Sequence, residues 1–263
     1  MNTKQPIGIF DSGVGGLSIW HEIVNLLPNE NTIYFADSKN APYGQKAQEK
    51  IIEFSIKNTE LLLERGCKLI VVACNTATTN AIKYLRTNYD VPFIGIEPAI
   101  KPAALQTKNN IVGILATQGT LSSELFNNTS QKFSEGITII EQIGEGLVPL
   151  IEEGKRDSVE MKNLLQLYLK PMIERNIDYL VLGCSHYPFL IPQIRNIVGK
   201  NVTIIDSGEA VAKQTKAVLE KNDLLNNSNL KANHKLFSNS NITTLKNIIA
   251  DFNINCTIDH LDF

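Results

Sequence analysis

The sequence predicts an α/β protein made of two similar halves, each built on a parallel sheet. Two apolar runs, LIVVA and YLVLG, have the composition of fully buried parallel strands, and each is followed at once by a cysteine, Cys74 or Cys184. Similar segments flank both runs at offsets of 105 to 110 residues, and the matched pairs are residues 7–16 with 112–121 and 93–99 with 203–209. This repetition indicates a duplicated unit. Strand, turn and helix recur in every α/β protein, so the repetition alone does not exclude two unrelated units that share only this general pattern.

The individual elements follow from local composition. Residues 7–10 form the first strand, and the glycine-rich turn 11–16 leads into an amphipathic helix that ends near Pro28. Turn composition at 37–44 precedes a long helix from about 45 to 65. Further strands alternate with helical stretches, as in doubly wound sheets, and are predicted at 32–36, 68–73, near Phe93, and at 111–116, 137–140, 179–183 and 202–205.

A domain boundary is predicted between residues 97 and 110, where prolines and a polar run interrupt the alternation. The segment after the last matched strand is too short to fold alone, so we expect it to return to the first half. The expected domains are therefore residues 1–97 with 209–263, and residues 98–208. Ligands of parallel sheets bind beyond the carboxyl ends of the strands, so both cysteines are placed where a substrate would bind.

Composition excludes several classes of function. The chain has 263 residues, 43% of them hydrophobic, which suffices for a large core. Its net charge is −2, and no basic surface for nucleic acid or a membrane is indicated. The apolar runs are too short to span a bilayer, and the first residues lack the apolar core of a signal peptide, so we expect a cytoplasmic protein. Its four cysteines are then expected as thiols.

Cys74 and Cys184 admit three interpretations. They could be buried thiols without a chemical role, because free cysteine is among the most buried residue types. Cys184 and His186 could hold zinc, although their spacing is unusual and a fourth ligand is not evident. As an acid and a base, the two thiols need different pKa values, which a helix N-terminus together with His186 or Asp11 could provide.

The turns beside the cysteines offer groups that could bind a small polar ligand. Asp11 and Ser12 supply a carboxylate and a hydroxyl where a helix begins. Asp11 is also placed to cap that helix. The GxGG spacing of the turn matches a dinucleotide-binding turn only weakly. All five arginines lie in predicted helices or their flanks, and neither a P-loop nor a Schiff-base lysine is evident. We therefore expect chemistry without a cofactor, with substrate carboxylates held by backbone N–H groups and by Ser12, Thr76, Thr117 and Ser185.

Four motifs in this order, DSGVGG, PYG, ACNTA and GCSHYP, make the sequence from about Pro6 to Ala212 resemble the bacterial glutamate racemases of the aspartate/glutamate racemase superfamily. The resemblance implies two α/β domains related by a pseudo-two-fold axis, with glutamate bound between them. It also implies a cofactor-independent, two-base interconversion of L- and D-glutamate, which supplies D-glutamate for peptidoglycan, and a homodimer.

Site residues are carried over from the resemblance position by position. Cys74 and Cys184 correspond to the two bases, with Asp11 and His186 as assisting groups. A glutamate of the VPLIE stretch is a further assisting carboxylate, for which Glu152 aligns best and Glu153 is the alternative. The implied substrate contacts are Asp11, Ser12, Pro42, Tyr43, Gly44, Asn75, Thr76, Thr117, Thr120, Ser185 and His186. This chain departs from the usual pattern at Ser185 and at Ser38, where threonine is frequent.

The sequence leaves three other functions open. An aspartate racemase of the same superfamily would differ only in pocket depth. A non-catalytic amino-acid-binding protein would have no use for two cysteines at matched positions. A zinc hydrolase would lose activity on chelation.

Overall fold

The computed structural model describes residues 2–133, 135–228 and 230–263. Its strands are β1 (Ile7–Asp11), β2 (Thr32–Ala36), β3 (Leu69–Val72), β4 (Phe93–Gly95), β5 (Ile111–Ala116), β6 (Thr138–Ile143), β7 (Tyr179–Gly183), β8 (Thr203–Ile205), β9 (His234–Ser238) and β10 (Thr257–His260). Its α-helices are α1 (Leu17–Leu26), α2 (Gln48–Glu64), α3 (Asn75–Asn88), α4 (Ile100–Gln106), α5 (Gln118–Leu121), α6 (Glu124–Phe133), α7 (Leu147–Glu152), α8 (Val159–Glu174), α9 (Ile191–Val198), α10 (Gly208–Lys221) and α11 (Thr243–Phe252).

The described residues form two parallel sheets. The first has six strands in the order β10-β9-β2-β1-β3-β4, and the second has four in the order β6-β5-β7-β8. The order β2-β1-β3-β4 is repeated by β6-β5-β7-β8, and every pair is parallel. The predicted fold class, a parallel-sheet α/β protein with two similar halves, is therefore confirmed.

This strand order determines where the side chains at the strand ends lie. In each sheet the first strand of the unit, β1 or β5, has neighbours on both sides, so the connections on its two sides run in opposite directions across the sheet and a crevice opens at the carboxyl ends of the strands. In the first sheet this crevice lies between β1, which ends at Asp11, and β3, which is followed closely by Cys74. In the second it lies between β5, followed by Thr117, and β7, followed by Cys184.

The strands β1 and β3 at the centre of the first sheet are held in place by buried, mostly apolar residues. All residues of β1 and β3 are buried, as is usual where helices cover both faces of a parallel sheet. On one face, α1 packs with Trp20 fully buried, and the indole Nε1 donates to Thr32 Oγ1 at 2.9 Å. Burial of these side chains, at about 25 cal/mol per Å² of apolar surface, is the main force that holds the sheet in place.

Two local predictions differ from the structure. The long helix begins at Gln48 rather than 45, because residues Tyr43–Gln45 form a separate 3₁₀ turn. The strand β6 extends to Ile143, beyond the predicted end at 140. His234 is buried in β9 with its Nδ1 2.9 Å from Thr32 Oγ1. No helix in the described part of the chain is both long and apolar enough to cross a membrane.

Candidate active site

Both cysteines line the same cavity, one from each half of the molecule. Its walls are formed by Ser12, Pro42, Tyr43, Gly44, Cys74, Asn75, Thr76, Thr117, Val148, Cys184, Ser185 and His186. All of these except Val148 were predicted from the sequence. The other three predicted site residues lie behind the wall in contact with it, and they are Asp11, Thr120 and Glu152.

Cys74 has surroundings that favour the neutral thiol. It is the N-cap of α3, where its Sγ accepts from the Ala77 N–H at 3.4 Å and lies 3.6 Å from Ser12 Oγ. Burial raises the pKa of this thiol far above its ordinary value, and the negative charge of Asp11 raises it further. The hydrogen bonds with Ala77 and Ser12 act in the opposite direction but are outweighed, so Cys74 is protonated at neutral pH.

Cys184 has a cation beside it instead. Its Sγ lies 3.8 Å from Nδ1 of the fully buried His186. Burial lowers the pKa of His186, but hydrogen bonds with Cys184 and Glu152 outweigh burial and hold that pKa well above its ordinary value. A protonated imidazole at this distance stabilises negative charge on the Cys184 sulfur. The two sulfurs thus have opposite electrostatic surroundings.

Glu152 holds His186 from the side away from the sulfur. Glu152 Oε1 lies 2.6 Å from His186 Nε2 and also accepts from the Val14 N–H at 2.7 Å. Glu153, the alternative considered from the sequence, is exposed and pairs with Lys155 at 2.6 Å. Of the two glutamates, Glu152 is therefore the one in contact with the site.

The glycines of the DSGVGG turn allow these side chains to approach. A Cβ on Gly13 would lie 1.9 Å from Glu152 Oε1, and a Cβ on Gly15 would lie 2.2 Å from His186 Nδ1. Any other residue at either position would push away the catalytic candidates of the opposite half. The sequence pattern that matched a dinucleotide turn weakly is thus explained by close packing between the two halves.

Asp11 lies at the centre of this contact. Its Oδ2 accepts from the backbone N–H groups of Gly13 and Gly16 at 3.2 and 2.9 Å, and its Oδ1 accepts from Ser185 Oγ at 3.1 Å. Burial raises the pKa of Asp11, and the charge of His186 opposes that rise. Asp11 does not cap α1, whose N-cap is Gly16; it organises the turn before the helix.

The PYG turn is fixed by an aspartate that the sequence analysis did not single out. The Tyr43 hydroxyl donates to Asp37 Oδ2 at 2.5 Å, and Asn58 Nδ2 donates to the Tyr43 hydroxyl at 3.3 Å. Asp37 directly follows β2, so its position at the carboxyl edge of the sheet was the signal that could have identified it.

Several polar groups face the cavity and could bind a ligand. Thr76 Oγ1 lies 2.9 Å from Thr117 Oγ1, and Thr117 Oγ1 lies 3.0 Å from Thr120 Oγ1. Both side-chain amide atoms of Asn75 are buried and have no hydrogen-bond partner among the described residues. Because unpaired buried amides are costly, this side chain is suited to hydrogen-bond a ligand in the cavity.

The zinc interpretation finds no support in the geometry. Among residues 2–133, 135–228 and 230–263, no three His, Cys, Asp or Glu side chains are arranged to hold a metal ion. The nitrogens of His186 are instead directed at Cys184 and Glu152.

Fold and site together define an α/β protein in which two cysteine thiols, each following a strand of one of two topologically equivalent sheets, line one cavity. The family model described as Asp/Glu/Hydantoin racemase matches residues 7–215, and the chain belongs to this family. It is similar to the glutamate racemase of Herpetosiphon aurantiacus, with 47% identity over 84% of this chain and 87% of the relative.

Solved structures agree with this assignment. Glutamate racemase RacE1 from Bacillus anthracis superposes with a TM-score of 0.87 at 29% identity, over 100% of this chain and 99% of that one. Escherichia coli glutamate racemase, solved with L-glutamate and the activator UDP-MurNAc-Ala, superposes with a TM-score of 0.86 at 31% identity, over 98% of both chains.

Proposed function

We propose that this protein interconverts L- and D-glutamate by two-base proton transfer at Cα, with Cys74 and Cys184 as the bases. The observation that carries the proposal is that these cysteines, at equivalent ends of β3 and β7, line one cavity from opposite halves. Two groups are needed on opposite faces of a stereocentre, because removal and return of the proton from the same face would regenerate the same enantiomer. The similarity to proteins named glutamate racemase supports the choice of substrate.

The two sulfurs differ in their surroundings. His186 lies 3.8 Å from the Cys184 sulfur, whereas burial and the charge of Asp11 favour the neutral thiol of Cys74. In one direction the Cys184 thiolate takes the α-proton, the electron pair of the broken C–H bond stays on Cα, and the Cys74 thiol delivers its proton to the other face. In the reverse direction Cys74 is the base and Cys184 the acid.

Substrate carboxylates are bound without an arginine in this proposal. The hydroxyls of Ser12, Thr76, Thr117 and Ser185 and the amide of Asn75 surround the cavity. General acid–base catalysis contributes only about 10²–10⁴-fold to a rate, so donors already in place must also stabilise the charge that develops as Cα loses its proton.

Entry of glutamate requires the halves to separate. The cavity between the cysteines has a volume of about 10 Å³, comparable to the space one water molecule needs. It adjoins an outer cavity of about 180 Å³ that shares Pro42, Gly44, Thr117 and Val148 with it. We infer that substrate arrives through the outer cavity and that closure then excludes water from the reaction.

The decisive experiment follows deuterium incorporation at Cα in D₂O from each glutamate enantiomer. Wild type should produce deuterated product of inverted configuration, whereas Cys74→Ala and Cys184→Ala should each lose interconversion by about 10²-fold or more. Cys256→Ala, which alters a half-buried thiol outside the cavity, should behave as wild type. Near-wild-type conversion of both enantiomers by either active-site variant would exclude the two-base mechanism.

We also propose that the two domains are residues 1–97 with 209–263 and residues 98–208, and that the enzyme is a homodimer. In this proposal it works in the cytoplasm, and its product, D-glutamate, enters peptidoglycan. The aspartate alternative is tested by comparing both substrates, and faster turnover of aspartate would overturn the choice of glutamate.

A further inference from the structure

Glu152 is held by groups from the opposite half of the molecule. Its Oε1 accepts from the Val14 N–H at 2.7 Å and lies 2.6 Å from His186 Nε2, while Oε2 accepts from Ser38 Oγ at 2.9 Å. Val14 and Ser38 follow β1 and β2 of the first sheet, whereas Glu152 ends α7 beside the second. Both oxygens of one carboxylate are therefore bound, and Ser38 is the only side chain on Oε2 in the described part of the chain.

Ser38 itself sits on a firmly held turn. The preceding residue, Asp37, accepts at Oδ1 from Asn40 Nδ2 at 2.8 Å and from Asn239 Nδ2 at 2.5 Å. The following residue, Lys39, donates its backbone N–H to Asn239 Oδ1 at 2.9 Å. Because its neighbours are bound on both sides, the Ser38 hydroxyl is presented in a fixed place.

We propose that Ser38 is a positioning residue, whose hydroxyl fixes the Glu152 carboxylate against His186 and thereby keeps the imidazole in place beside Cys184. The inference rests on the proposed function. The last torsion of a glutamate side chain is broad and has no strong staggered preference, so a carboxylate bound through one oxygen can turn. The Ser38 hydrogen bond removes this freedom, because it engages the second oxygen.

The charge on His186 should depend on this contact. The titratable groups that act on its ring are Cys184, Glu152 and Asp11. Glu152 raises the pKa of His186 through a short charge-assisted hydrogen bond. When Ser38 no longer fixes Glu152, that hydrogen bond weakens and the pKa of His186 falls. Fewer molecules then carry the cation that stabilises the Cys184 thiolate.

Three variants separate positioning from general structural damage. Ser38→Ala removes the hydroxyl, and Ser38→Thr keeps it. Ser122→Ala is the matched control, because it removes an exposed serine hydroxyl that bonds only the Gln118 carbonyl among the described residues. For each variant, kcat and KM are measured with both enantiomers, and the His186 ring is titrated by NMR with labelled histidine.

The expected result is a roughly tenfold lower kcat for Ser38→Ala with KM within about twofold of wild type, as for loss of one hydrogen bond to a charged group. The His186 titration midpoint should move to lower pH in Ser38→Ala only. In a Glu152→Ala background, Ser38→Ala should have no further effect on either measurement, because its partner is already gone.

Unchanged kcat and an unchanged His186 titration in Ser38→Ala would overturn the proposal. So would an undiminished effect of Ser38→Ala in the Glu152→Ala background, since the hydroxyl would then act elsewhere. A wild-type protein inactive on glutamate would refute the proposed function instead, and the His186 titration alone would then decide the role of Ser38.

Discussion

Thr76 Oγ1 and Thr117 Oγ1 lie 2.9 Å apart, although the first follows a strand of one sheet and the second follows a strand of the other. Each hydroxyl can rotate about its C–O bond and donate to a carboxylate placed between them. Because the two halves each contribute one of these donors, binding of an anion and closure of the cleft are expected to be coupled.

Replacement of Thr76 by valine tests this contact, because it removes the hydroxyl and changes the side-chain volume little. KM for glutamate should rise about tenfold, since a hydrogen bond to a charged group contributes about 1.5 kcal/mol or more. Steady-state kinetics followed by optical rotation measures the change. Thr87→Val, at an exposed position of α3, should leave KM unaltered. An unchanged KM in Thr76→Val would remove this residue from the binding site.

Gly15 should tolerate no side chain. A Cβ there would lie 2.2 Å from His186 Nδ1, so the imidazole or the turn would have to move by an ångström or more. Displacement on that scale can cost about 10²-fold in rate, and we expect at least this loss of kcat in Gly15→Ala. Gly136→Ala is a useful contrast: its φ of +75° imposes strain, but no atom lies within 4 Å of the added Cβ. That variant should lose stability and keep its activity.

Local sequence predicted the central strands well and the long-range contacts poorly. The bounds of β5 and β7 agree with the predicted 111–116 and 179–183, because apolar runs between polar turns define a buried strand unambiguously. The resemblance favoured Glu152 but left Glu153 as the alternative, because the two residues are adjacent in sequence and only their contacts separate them. The choice depends on Val14 and Ser38, which are more than a hundred residues away.

The electrostatic asymmetry of the site was likewise only partly predictable. His186 was recognised as a neighbour of Cys184 because the two are nearly adjacent in sequence. A helix N-terminus was also expected to lower a thiol pKa, with His186 or Asp11 separating the pKa values of the two thiols. In the structure, the N–H of Ala77 does act on Cys74 in that direction, but burial and Asp11 outweigh it. Burial depends on packing of the whole molecule, which local sequence does not reveal.

Asp11 should oppose folding at neutral pH. Its pKa is raised above the ordinary value of 3.8 by burial, so the native state resists ionisation and wild type loses stability as pH rises through the native pKa. Asp11→Asn should therefore melt at a higher temperature than wild type at pH 7.5, with a smaller difference at pH 4.5, while its activity falls. Thermal unfolding at both pH values measures this.

The control for Asp11 is an aspartate with the opposite shift. Burial also raises the pKa of Asp178, but hydrogen bonds from Thr107 and from the N–H groups of Lys108 and Asn109 outweigh it, so the net pKa is lowered. This group stabilises the protein above its ordinary pKa and loses that effect as pH falls. Asp178→Asn should therefore lower the melting temperature at pH 7.5. A destabilised Asp11→Asn would mean that its hydrogen bonds outweigh the cost of its buried charge.

The buried ion pair between Lys68 and Glu30 should affect stability alone. Lys68 Nζ lies 2.6 Å from Glu30 Oε2 and also donates to the Leu224 carbonyl at 2.9 Å, and both charged side chains are almost fully buried. Lys68 precedes β3 at its amino end, whereas Cys74 lies beyond the carboxyl end of the same strand. The pair thus joins the start of the strand to the segment after α10, away from the cavity.

Lys68→Met would leave the Glu30 charge buried without its partner, which typically costs about 3–5 kcal/mol, so urea unfolding should show a loss of that order. The double variant Lys68→Met with Glu30→Gln should recover much of this loss, because the uncompensated charge is gone and the amide oxygen can still accept from the Asn226 N–H, as Glu30 Oε1 does at 2.8 Å. In both variants kcat per folded molecule should equal that of wild type. A fall in kcat at full folding would show that the amino end of β3 influences the placement of Cys74, in contradiction to the separation of roles along this strand.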